Sequence, residues 1–129
     1  MCRMYSMDIS RICLLKNKKM SKFTITLGKG FRIQFNNGFI LSVQWGSGNY
    51  CENQNKEWMG KVEFWESSDA EIAVIDEDGA FISLGEDTVK GWVTADEVAE
   101  VIGIVQSSST KEEIKEKMSK SKGYDKPWN

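Results

Sequence analysis

From Lys22 onward, apolar and polar residues alternate with period two, the spacing that places every second side chain on one face of a β-strand. Phe23, Ile25 and Leu27 alternate with Thr24 and Thr26; after Gly28-Lys29-Gly30, Phe31, Ile33 and Phe35 alternate with Arg32 and Gln34. Asn36-Asn37-Gly38 tolerates positive φ and predicts a hairpin turn. The returning strand puts Phe39, Leu41, Val43 and Trp45 on one face and Ile40, Ser42 and Gln44 on the other. Beyond a loop over 46–55, Met59, Val62 and Phe64 with Trp58 and Trp65 predict another strand. Ile72, Val74 and Ile75 predict one that ends at Asp76-Glu77-Asp78-Gly79, with Phe81, Ile82 and Leu84 as its hairpin mate and Gly85 closing it. Trp92-Val93 adds a short sixth strand.

The period then changes. Thr94 with Glu97 three residues later is a capping box, in which hydroxyl and carboxylate each satisfy an orphan backbone N–H. Val98, Val101, Ile102 and Val105 follow at helical spacing and form one apolar face. Ser107-Ser108-Ser109 breaks that helix. Thr110 with Glu113 repeats the capping signature, and Ile114 with Met118 gives a narrow apolar stripe on a helix charged on most faces, which predicts a surface position or a place against another subunit. From Ser119 the chain reads as a loose tail, with Pro127 barring helix. The pattern predicts an α+β fold, an antiparallel sheet of five or six strands followed by two C-terminal helices.

Residues 1–19 do not share this patterning. They end in Lys16-Asn17-Lys18-Lys19, and Met20-Ser21-Lys22 reads as a new start running into a strand. The division expected is a leader over 1–19 outside the fold, as an upstream extension or else a disordered basic arm or short amphipathic helix, and a single ligand-binding domain over 20–129. Charge supports the split. Of 17 basic and 19 acidic residues, five basic and one acidic lie in 1–19, so the remainder holds 12 against 18, a net −6. A body that acidic is a poor general binder of nucleic acid, which takes a basic stripe to displace counterions.

Composition narrows the chemistry. The chain contains no histidine, and its three cysteines, Cys2, Cys13 and Cys51, lack the paired spacing of a metal site. No catalytic residues, metal or cofactor are expected, since neither Ser47 nor Cys51 has a base to activate it. No apolar run approaches the roughly 20 residues of a membrane span. Asp69, Glu71, Asp76, Glu77 and Asp78 depart from calcium-loop spacing and read as a solvated hairpin edge.

The stretch most suggestive of a ligand is Trp45-Gly46-Ser47-Gly48-Asn49-Tyr50, followed by Cys51 and Asn53. Its glycines let backbone approach a ligand and turned N–H groups can hold an anion; Trp45 and Tyr50 offer flat faces, and Asn49 and Asn53 offer paired donors and acceptors. Equally, it reads as a tight turn with aromatics plugging the core. Lys111 and Lys115, one helical turn apart, either meet phosphates or form a solvated face. The five tryptophans exceed what so small a core needs and point to a ligand or a subunit interface.

The run from Phe35-Asn36-Asn37-Gly38-Phe39 through Gln44-Trp45-Gly46-Ser47-Gly48-Asn49-Tyr50-Cys51 resembles a segment of small bacteriophage proteins. Ser67-Ser68-Asp69-Ala70-Glu71-Ile72-Ala73-Val74-Ile75 and Gly91-Trp92-Val93-Thr94-Ala95-Asp96-Glu97-Val98 are similar as well, in the same order. The family is the Thoeris anti-defence signal sponges of the first type, and the resemblance covers 22–105. It implies a protein of the infected host's cytoplasm that sequesters a cyclic ADP-ribose isomer made by TIR-domain enzymes, and in some members cyclic oligonucleotides, without cleaving it. It also implies a homo-oligomer, dimer or higher, with ligand sites between subunits. Where the family pattern leads one to expect arginine gripping phosphate from the C-terminal helix, this chain has only Lys111, Lys115 and Lys117, point charges without a bidentate fork. From a different class, the same residues fit a non-enzymatic accessory module whose aromatics form a partner interface.

A chain beginning at Met20 is expected to keep its melting temperature and its ligand binding; a clear drop in melting temperature would show that residues 1–19 pack on the body.

Overall fold

The alternating segments pair into an antiparallel meander. A computed structural model describes residues 21–26, 29–56, 66–85 and 87–121. Strands β1 (Lys22–Ile25), β2 (Gly30–Gln34), β3 (Ile40–Gln44), β4 (Asp69–Ile75) and β5 (Val89–Thr94) lie side by side in chain order, and helices α1 (Ala95–Ser107) and α2 (Lys111–Lys120) follow. The α+β class expected from the patterning is the one observed.

Register decides which face each residue takes. Leu41 stands opposite Ile33 and Val74, and Val43 opposite Phe31 and Ile72. Val98, Val101 and Val105 of α1 cover this face, Ile114 and Met118 of α2 close over them, and with Leu41, Val43, Ile72 and Val74 they belong to the buried core, against which the partly buried Phe31 and Ile33 pack. Burying one such aliphatic side chain contributes about 1.5–3 kcal/mol. The intervening residues, Arg32 opposite Ser42 and Ser42 opposite Ala73, lie on the other face, which no described helix covers.

Both helices start as the capping signatures predict. Thr94 Oγ1 accepts from Glu97 N–H at 3.2 Å and Glu97 Oε1 accepts from Thr94 N–H at 2.9 Å. Thr110 Oγ1 accepts from Glu113 N–H at 3.1 Å, but the Glu113 carboxylate reaches Ser109 N–H instead, at 2.8 Å. Lys117 Nζ lies 2.8 Å from that carboxylate and, with the Ser109 N–H, holds it below the usual carboxylate range.

Four expectations change. Trp92-Val93 belongs to a full six-residue strand, β5. The segment expected to pair as the hairpin mate of β4 makes only isolated bridges, Ile75 with Phe81 and Leu84 with Asp87. The reason is competition: β5 occupies the β4 edge from Ala73 downward, and Ile82 and Leu84 turn into the core instead. Helix α2 continues through Ser119 and Lys120, where Ser119 Oγ donates to Glu116 O and Lys120 pairs with Glu116 at 3.1 Å. Its apolar stripe packs within its own chain instead of against another subunit, while most of its charged residues lie at the surface as expected; Val98, Val101 and Val105 of α1 are buried as well, with Ile102 half-buried. The strand expected around 59–65, the leader over 1–19 and the end of the tail lie outside the described residues.

One turn residue does more than turn. Asn37 Oδ1 accepts from Phe39 N–H at 3.0 Å, while its Nδ2 donates to Val105 O and Ser108 O, both at 2.8 Å, and to Gln106 O at 3.3 Å. The last carbonyls of a helix lack intrahelical donors, so the β2–β3 hairpin supplies the end of α1 with a cap from 68 residues away in sequence. Replacing Asn37 by Ala is expected to cost about 1–3 kcal/mol, read as a lower denaturant midpoint; an unchanged midpoint would mean that water replaces the amide without loss.

Candidate functional site

After β3 the chain folds back through the glycine loop, and buried amides hold it. Asn53 is 0% exposed; its Nδ2 donates to Trp45 O at 2.7 Å and to Glu66 O at 3.0 Å, and its Oδ1 is sealed without a partner. Asn49 Oδ1 accepts from Gly46 N–H at 3.0 Å, and its Nδ2 donates to Glu71 Oε1 at 2.9 Å. Glu52 and Asp69 exchange bonds with the neighbouring backbone, Ser68 N–H to Glu52 Oε1 at 2.7 Å and Glu52 N–H to Asp69 Oδ1 at 2.8 Å.

The loop's N–H groups are therefore largely committed. Gly46 N–H serves Asn49, Gly48 N–H donates to Gln54 O at 3.0 Å and Asn49 N–H to Gly46 O at 3.2 Å. Gly48 sits at φ +83° with open space where a Cβ would be, so the backbone conformation, not a close neighbour, asks for glycine there. Ser47 is half-buried in the same turn.

The aromatics divide between two sides. Trp45 packs edge-on against Phe31, ring centroids 6.0 Å apart at 71°, and lines a cavity of about 560 Å³ on the helix side with Ser67, Asp69, Ala95 and Val98. Tyr50 instead stacks on Trp92, centroids 5.8 Å apart at 15°, and both rings are open to solvent at 42% and 54%. Trp92 N–H donates to Tyr50 O at 2.9 Å where the β4–β5 register slips between Ala70 and Ile72. A β-bulge there re-aims a side chain. Trp92 takes φ +54°, a left-handed conformation that costs a non-glycine residue about 1–3 kcal/mol. Residue-by-residue reading placed Trp92 in a strand and missed it as part of a site. The available signal was Gly91, because a glycine inside a strand pattern marks a bulge or close approach; a Cβ on Gly91 would lie 2.5 Å from Tyr50 Cβ.

Lys111 and Lys115 stand elsewhere. Lys111 lines a cavity of about 290 Å³ with Asn37, Phe39, Asp76, Glu77 and Asp78, at the hairpin end of β3, whereas the glycine loop leaves from its other end. Lys115 is exposed on α2. Within one protomer the fold does not bring these lysines to the loop. The acidic run over 76–78 is a turn in which Asp76 Oδ1 accepts from Asp78 and Ala80 N–H, each at 2.9 Å. Among the described residues no group of three or more Cys, Asp or Glu is placed to hold a metal ion, and no helix is long and apolar enough to cross a membrane.

Cys51 is buried, with Sγ 3.7 Å from Gly46 O. Burial pushes its thiol above the usual value and outweighs the hydrogen bonds to Asn53 backbone and Ser67; Asp69 and Glu71 push the same way. Comparison of the chain with models of known families, with curated proteins and with solved structures returns no match.

A raised pKa keeps Cys51 as the neutral thiol near pH 7, and thiolate is the reactive form. Iodoacetamide is expected to leave Cys51 unmodified in the folded protein and to alkylate it after denaturation, as followed by peptide mapping; rapid native labelling at Cys51 would contradict this environment.

Proposed function

We propose that this chain binds a small nucleotide-like molecule without turning it over. In full, it is a bacteriophage anti-defence protein that sequesters a cyclic ADP-ribose isomer in the cytoplasm of the infected bacterium. The observation that carries the binding part is the Tyr50–Trp92 pair, two parallel rings left open to solvent and held there at the cost of a left-handed tryptophan. Stacking surfaces of this kind recognise bases, since every base presents a π-face. The identity of the ligand rests on the resemblance of the 35–51, 67–75 and 91–98 segments to the phage sponges.

Storage without turnover is supported by what the loop is built from. The chain has no histidine, Cys51 is held as a neutral buried thiol, and the amides of Asn49 and Asn53 fix the loop. A sponge gains from affinity for the ground state, whereas binding reserved for a transition state adds nothing to sequestration.

A different observation favours the second reading, an accessory or self-assembling module. Phe23 and Ile25 on the outer strand β1 are 79% and 82% exposed, and an open strand edge is a template for pairing with another chain. A homo-oligomer formed there is compatible with either reading, and a monomer mass by light scattering at micromolar concentration would count against it.

Calorimetry with cyclic ADP-ribose isomers is expected to detect binding that Tyr50→Ala and Trp92→Ala each weaken by about 1–3 kcal/mol, and chromatography should recover the ligand intact. No binding of any isomer at high micromolar concentration would sink the sponge reading; a hydrolysed ligand would make the protein an enzyme.

A further inference from the structure

With the N–H groups of Gly46, Gly48 and Asn49 turned inward and Lys111 at the far end of the sheet, neither feature meets an anion beside the stacked rings. The sheet face away from the helices offers another place. It holds a trough of about 540 Å³ lined by apolar residues such as Phe81 and Val89 and by polar ones that include Lys29, Arg32, Gln44 and Glu71. Asn49 and Glu71 also anchor the loop that carries Tyr50, so the trough adjoins the stacked pair.

Arg32 is the unusual member. Its Nε is sealed from solvent and has no hydrogen-bond partner. Glu71 shares the trough, yet its oxygens are taken by Asn49 Nδ2 at 2.9 Å and Tyr50 N–H at 3.4 Å, and no ion pair joins it to Arg32 among the described residues. Gln44 Nε2 is directed to Thr26 Oγ1 at 2.7 Å and Ser42 Oγ at 3.3 Å. A buried donor on an ionised group without an acceptor destabilises the fold; Nε itself is sealed, so an acceptor from outside meets the remainder of this half-buried side chain where it lines the trough. Lys29 adds a second cation: its stem lies where a Cβ on Gly46 would come within 2.8 Å of Lys29 Cγ, so glycine at 46 leaves this lysine its place. Two cations face one engaged carboxylate in a body of net −6.

We infer that this open-face trough is an oxyanion site for the phosphate groups of a small phosphorylated molecule, with Arg32 donating to phosphate oxygens and Lys29 supplying the second charge. The guanidinium fork matches such oxygens two at a time, and a pyrophosphate engages both cations where a single carboxylate engages one. The inference rests on the ligand reading above only for the organic part of the molecule.

The test is calorimetric titration of the full chain with inorganic pyrophosphate at low salt, with succinate as the carboxylate comparator. Saturable pyrophosphate binding is expected, weaker by about tenfold or more in Arg32→Gln, weaker to a lesser degree in Lys29→Gln, and unchanged when Lys111 and Lys115 are both replaced by Ala. Arg32→Gln is also expected to melt no lower than the parent, since it removes a buried unpaired donor; sites kept for binding commonly cost stability in this way. Absence of pyrophosphate binding at millimolar concentration, binding indifferent to Arg32→Gln, or equal binding of succinate would each overturn the site. Pyrophosphate bound through Arg32 with no cyclic ADP-ribose isomer bound would uphold the trough and defeat the sponge. Isomer binding that survives Arg32→Gln, with pyrophosphate binding equally indifferent to that substitution, would defeat the trough alone.

Discussion

Two helices can cover only one side of five strands, and most of what is particular to this protein follows from that limit. α1 sits over the face made by Leu41, Val43, Ile72 and Val74 with α2 packed against α1, so the core lies under the β3–β5 part of the sheet. The outermost strand, β1, receives no cover from either described helix, and Phe23 and Ile25 are exposed although register puts them on the helix-side face with Ile33 and Phe31. The reverse face keeps its polar residues, and there Asn49 of the glycine loop meets Glu71 without displacing a core side chain. Hydrophobic burial thus settles where the molecule is solid and, by default, where it is open.

Short-range periodicity carried the reading as far as the fold, because strand alternation and helix capping are local physics. The hairpin over 31–45 and the Thr94–Glu97 box were legible for that reason. Much less of the site was. Asn53 looked like a ligand amide, and nothing in an asparagine distinguishes a group offered to a ligand from one clamping two distant carbonyls. Trp92 acquires its role through a register slip in a strand pair, which depends on β4 and β5 together. Arg32 read as an ordinary polar position on an alternating strand, and only the assembled sheet seals its Nε. Lys111 and Lys115 were well spaced on their helix, but topology sends that helix to the wrong end of β3.

Glu71 joins the parts of the site. It stands opposite Gln44 on the open face, lines the trough, and its two oxygens hold the side chain of Asn49 and the backbone of Tyr50. One carboxylate therefore fixes the loop relative to the sheet and keeps the aromatic pair and the cationic trough in constant relation. A surface arranged in advance loses less conformational freedom on binding, which is what the proposed capture of a ligand requires.

The Asn37–Gly38 pair sets a chemical lifetime on the fold. An asparagine followed by glycine is prone to lose its side-chain amide, because glycine presents no side chain to hinder attack by the next backbone nitrogen. Here that nitrogen is occupied, Gly38 N–H donating to Phe35 O at 2.9 Å, and the amide is pinned against the carbonyls of Val105 and Ser108. Folding shelters the bond, and unfolding exposes it. Once hydrolysed, the residue would turn a carboxylate toward the negative end of α1, where the helix dipole opposes it, and the molecule could not return to its original hydrogen bonding. Ageing of the protein is in this sense gated by its own conformational stability: each excursion from the folded state risks converting a reversible opening into permanent damage.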